Sequence, residues 1–118
     1  MTNPNLNACL RRKRIYINRS TIVLLGNPSH LSFWYDEERG LLYITAAGKD
    51  DLDAYEIQKY YWKVSHISCE VARIAFLKAL QYRLGWENDS KYAYAGTLTE
   101  RVGVPSVAFN MTEGVKLR

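Results

Sequence analysis

Arg11, Arg12, Lys13, Arg14 and Arg19 stand close together near the start of the chain, and no acid falls among them. Guanidinium and ammonium groups without neighbouring carboxylates neutralise phosphates, so this run is a candidate nucleic-acid contact. It also fits a solvated face that only confers solubility. The acids gather elsewhere, at Asp36 to Glu38 and at Asp50 to Asp53. This separation of sign matters more than the net charge of +4, which many proteins carry without binding nucleic acid.

Other chemistry is sparse. Cys9 and Cys69 form no CxxC, and His30 and His66 have no metal-like spacing to another ligand. Asp50, Asp51 and Asp53 lack the glycine and distal Glu of a calcium loop. The chain has no P-loop, GxGxxG, HExxH or GxSxG. Glu37 and Glu38 fall in an expected hairpin turn, where carboxylates stay exposed. No enzyme, cofactor or metal follows from these residues. Trp34 falls on the polar register of an expected strand, and Trp86 follows a helix-ending glycine. Either could anchor a protein partner or stack a base; either could equally cover a sheet face within the core.

The elements that must position these residues come next. A chain of 118 residues is one domain's worth. Residues 1–10 read as a polar, flexible lead, and 11–118 as a single domain. Ile15-Tyr16-Ile17 is a short β-run. Asn18 or Ser20 then caps a brief helix over Thr21 to Leu25, which Gly26 and Pro28 end. Leu31, Phe33 and Tyr35 alternate with polar positions, Asp36 to Gly40 makes a hairpin turn, and Leu41 to Ala46 returns. Ala54 to Val64 reads as a strand through Tyr60, Trp62 and Val64, with a helix as the competing reading. Ser65 or Ser68 caps one long helix reaching Leu84, with Val71, Ile74, Leu77, Leu80 and Leu84 as its apolar stripe. Tyr92 to Leu98 and Val104 to Phe109 complete an α+β fold of about six short strands in hairpins.

The two halves look alike. Leu25-Gly26 is followed seven residues after the glycine by Phe33-Trp34-Tyr35, and Leu84-Gly85 at the same interval by Tyr92-Ala93-Tyr94. Coincidence and a tandem repeat are both open. A repeat would make two pseudo-equivalent β-α-β-β lobes, at 14–48 and 65–110.

The pattern over Arg14 to Thr45 resembles the swapped-hairpin DNA-binding domain of the AbrB-like transition-state regulators and antitoxins. Arg14 stands at that family's arginine before the first strand, Leu25-Gly26 at its helix end, and Phe33 to Ile44 at its hairpin. The resemblance covers about a quarter of the chain. Asn18 stands where the family has Pro, and Ile22 and Val23 where several members carry arginines. It implies a homodimer of interlocked chains that binds duplex DNA, in transcription regulation or on a mobile element. Only Arg14 carries over as a contact by motif; Arg11, Arg12, Lys13 and Arg19 are candidates by charge. The alternative is a non-catalytic protein-binding module, such as a small phage protein that blocks a host machine, using Trp34 and Trp86. No apolar run nears the roughly 20 residues that span a bilayer, and the N-terminus lacks a signal peptide's apolar stretch. A cytoplasmic location is therefore expected, with no membrane partner.

Overall fold

Leu6 and Ala8 alternate with Asn5, Asn7 and Cys9, which is enough to make a strand from a segment of low hydropathy. In the computed structural model, which describes residues 3–51, 54–57, 66–70, 75–87 and 89–117, this segment is strand β1 (Asn5–Cys9). The expected flexible lead is therefore corrected over residues 5–9. Its inward side chains, Leu6 and Ala8, are completely buried. Leu10–Arg12 makes one 3-10 turn, Lys13 takes a left-handed φ of 55°, and the chain returns as β2 (Arg14–Asn18).

Helix α1 (Arg19–Leu24) follows directly. The Asn18 side-chain oxygen accepts from Thr21 N at 3.3 Å as its cap, and also from Asn5 N at 3.0 Å. One side chain thus starts the helix and ties it to β1. Strands β3 (His30–Asp36) and β4 (Leu41–Ala47) form the expected hairpin. At its turn Gly40 has a φ of 67°, and an added Cβ would lie 2.6 Å from the Thr112 side chain. Both facts require glycine there. Then come β5 (Tyr55–Glu56), β6 (His66–Glu70), α2 (Ala75–Arg83), β7 (Lys91–Arg101), β8 (Val104–Asn110) and β9 (Val115–Lys116).

The strands join one antiparallel sheet in the order β5-β3-β4-β8-β7-β1-β2-β6, with β9 beside β7. It curls into a half-barrel that, among the described residues, has two short helices and no long one, which corrects the α+β expectation. The expected helix start at Ser68 lies inside β6, paired with Tyr16 of β2. Pairing with β2 decides between two patterns that overlap there. Ile67 and Cys69 point inward while Ser68 and Glu70 alternate with them, a period-two pattern that runs straight into the helical stripe. Of that stripe, Leu80 is buried and Leu84 half-buried. Ser65, Val71, Ile74 and the Leu77 side chain lie outside the described residues, as do Tyr60, Trp62 and Val64 of the expected 54–64 strand.

The two β-α-β-β runs exist as element order, β2-α1-β3-β4 and β6-α2-β7-β8, but not as separate lobes. They interleave: β2 pairs with β6, β4 with β8, β1 with β7, and β3 with β5. Strand β7 binds the sheet together. Its residues 91–95 pair with β1 and its residues 96–101 with β8. At the changeover an added Cβ on Gly96 would meet Phe109 at 2.7 Å and Val107 at 2.9 Å. The inner face is apolar throughout, with Ile15, Ile17, Leu31, Leu42, Ile44, Val107 and Phe109 completely buried.

Candidate functional site

The outer face of the sheet is where chemistry is left over. Alternation puts Asn5, Asn7 and Cys9 of β1, Arg14, Tyr16 and Asn18 of β2, and Lys91, Ala93 and Ala95 of β7 on that face, opposite the buried core. A broad cleft of about 1230 Å³ lies over it. Asn5, Asn7, Tyr16 and Asn18 make its floor; Val23 and Leu24 of α1 make one wall, and Leu98 and Leu117 contribute apolar surface. Among the described residues its cations are Arg12, Arg19 and Lys91, and no Asp or Glu lines it. That volume exceeds the roughly 300–1,000 Å³ of pockets that hold one small ligand.

The five sequence candidates separate here. Arg12 and Arg19 line the cleft, and both are exposed. Arg12 is hydrogen-bonded to Tyr16, and that contact raises its pKa above the ordinary guanidinium value. It stays charged at any working pH. Arg14 does not line the cleft. Its Nη1 donates to Ser68 Oγ at 2.9 Å, and its Nη2 lies 3.4 Å from Glu70 Oε1. The one residue matched to the family's contact is therefore engaged with β6. Lys13 forms the left-handed cap of the hairpin turn, and Arg11 is exposed beside it; neither lines the cleft.

The chain matches no protein-family model, no curated protein and no solved structure. The site is therefore read from its own residues.

Sequence reasoning passed over Lys91 and the asparagines. Lys91 is 72 residues from Arg19 and reaches the cleft only because Lys91 pairs with Cys9 across β1 and β7. The asparagines sat in what reads as a mobile lead. One signal was present: Asn5 and Asn7 alternate with Leu6 and Ala8, as a half-buried strand requires.

The two tryptophans also part company. Trp86 is buried, and its Nε1 donates to Tyr94 Oη at 2.5 Å, so it is a core residue and offers no interface. Burial pushes the Tyr94 hydroxyl's pKa up. Trp34 is 45% exposed and lies 5.8 Å from Tyr43, with the Arg101 guanidinium carbon 3.3 Å from its ring centroid. The acidic turn is occupied as well: Asp36 caps its own turn through Glu38 N at 3.0 Å, and Glu37 pairs with Arg83 of α2. Among the described residues no group of three His, Cys, Asp or Glu side chains is placed to hold a metal. No described helix is long and apolar enough to cross a membrane.

Proposed function

We propose that this protein is a small, non-catalytic nucleic-acid-binding module whose contact surface is the β1–β2–β7 cleft. One observation carries the reading: Arg12, Arg19 and Lys91 converge on a single concave surface that, among the described residues, no carboxylate lines. Such a surface attracts a polyanion, and its asparagine floor supplies donors and acceptors for the groups between phosphates. The contact set differs from that implied by the AbrB-like resemblance, since Arg19 stays in it, Arg14 leaves it and Lys91 joins it.

The homodimer implied by that resemblance has a competitor within the chain. Strand β2 is flanked by β1 and β6, and the β3–β4 hairpin by β5 and β8. We infer that one chain supplies the strands that interlocked partners would otherwise exchange, so the module works as a monomer.

The protein-binding alternative rests on Trp34 alone, and Arg101 already covers that ring. It becomes the better reading only if nucleic acid does not bind. Titration of a fluorescent mixed-sequence oligonucleotide at two salt concentrations tests this. With three phosphates neutralised, affinity should fall about 20- to 40-fold between about 50 and 200 mM salt. Charge reversal at Arg12, Arg19 and Lys91 together should weaken binding by about 100-fold or more, which is about 2.8 kcal/mol. Absence of binding at low salt, or binding indifferent to salt, rejects the proposal.

A further inference from the structure

The nucleic acid is placed by the shape of the cleft. We infer that the site takes a single strand, with phosphates at the two cationic ends and bases lying along the β1 floor; this rests on the nucleic-acid reading above. The argument begins with spacing. Arg12 and Lys91 stand at the β1–β2 turn end, where Lys91 pairs with Cys9. Arg19 stands at the α1 end, just past Asn18 and near the start of β1, where Asn5 pairs with Ala95. The four residue steps between Cys9 and Asn5 cover roughly 13 Å of strand. At about 3.4 Å per stacked nucleotide that is about four nucleotides, the lower end of the site sizes of sheet-based single-strand binders.

The floor between those ends suits bases better than phosphates. Asn5 and Asn7 present amides, which both donate and accept, and Arg12 reaches this floor from the turn end through its hydrogen bond to Tyr16, the partner of Asn7. Val23, Leu24 and Leu98 are exposed and line the same cleft, so they give apolar surface against which base faces can pack. In a duplex the bases are stacked inside and unavailable to that surface.

Duplex readers push an element outward into a groove, and the major groove of about 12 Å admits a helix or a two-stranded ribbon. This site is concave, and its one helix, α1, turns exposed Val23 and Leu24 toward the cleft. A trough lined this way receives a flexible strand and fits a rigid cylinder poorly.

The experiment compares four probes by fluorescence anisotropy and competition at about 50 mM salt: oligothymidylate and oligouridylate of about 12 nucleotides, a duplex of equal length, and inorganic polyphosphate. The single strands should bind at least about tenfold more tightly than the duplex and polyphosphate. Whichever of the DNA and RNA strands binds more tightly identifies the source without altering the inference. The Asn5→Ala/Asn7→Ala double variant should lose about tenfold for the single strands and keep its affinity for polyphosphate. Its circular dichroism and melting curve show that it is folded. Duplex binding as tight as single-strand binding overturns this inference and leaves the nucleic-acid reading standing. Polyphosphate binding as tight as oligothymidylate, with no effect of the double variant, reduces the site to an anion patch and also overturns it. Failure of all four probes to bind removes both readings.

Discussion

Arg12, Arg19 and Lys91 at the β1 end of the outer face line a cleft that no described carboxylate lines, whereas the arginines around the β3–β4 end are held against carboxylates or a tryptophan ring. There Arg39 lies 3.9 Å from Asp36, Arg83 pairs with Glu37, and the Arg101 guanidinium lies over the Trp34 ring. The two ends share one continuous sheet face, because Trp34, Tyr43, Ala108 and Thr97 stand opposite one another in register across four strands. The difference is in the company each cation keeps. A guanidinium held against a carboxylate or a tryptophan face contributes locally to the fold, whereas Arg12 and Arg19 line a concave surface that a ligand can enter. The separation of acids from bases along the sequence thus becomes a separation across the sheet.

The largest effect on the fold should come from the strand that joins the two ends. Gly96 sits where β7 leaves β1 and takes up β8, and a Cβ there would meet both Phe109 and Val107. Gly96→Ala should therefore cost about 1–3 kcal/mol, through strain that repacking relieves only in part. Urea denaturation measures it. The loss should be accompanied by weaker oligonucleotide binding, because Gly96 also lines the cleft. A neutral Gly96→Ala would mean that the strands at the changeover yield easily and that the two ends are mechanically independent.

Much of the local structure around the site is legible in residue order. Asn18 as a cap, Gly26 at a helix end, and the turn at Gly40 all follow from short-range chemistry, and the structure places them as that chemistry requires. What is not legible is partnership over distance. Ser68 reads as a helix cap until β2 is known to lie beside it, because pairing with Tyr16 is a tertiary fact. Arg14 and Arg12 look equivalent as neighbours in one basic run. They diverge because alternation turns Arg14 across β2 toward Glu70, 56 residues away, while Arg12 sits in the hairpin turn facing Tyr16. Lys91 carries no local signal at all.

At the occupied end the expected effect is smaller. Arg101→Ala removes the guanidinium from the Trp34 face, and with it a stack worth about 0.5–1 kcal/mol at an exposed site. The Arg101 Nε is buried without a hydrogen-bond partner, so removing it relieves part of that loss. Acrylamide quenching of tryptophan fluorescence should rise, and a Trp34→Phe background should abolish the rise. Oligonucleotide affinity should stay within about twofold. A marked loss of affinity would place Arg101 in the contact surface and erase the distinction between the ends.

The smallest effect, and the sharpest comparison, lies between two arginines two residues apart. Arg14 has 31% of its side chain exposed and Glu70 has 52%, so solvent screens their attraction. Arg14→Ala should cost about 0.2–1 kcal/mol of stability and change oligonucleotide affinity less than about twofold. Arg12→Ala should do the reverse. It removes a cation from the cleft wall, so stability should stay within about 0.5 kcal/mol, while the salt slope of binding should fall by about 1. Melting curves and salt titrations on the two variants separate these outcomes. If Arg14→Ala lowers the salt slope as much as Arg12→Ala, the Glu70 pair opens on binding and Arg14 returns to the contact set. The cleft would then extend across β2 to β6, and the availability of a cation would depend on the bound ligand as well as on its neighbours in the fold.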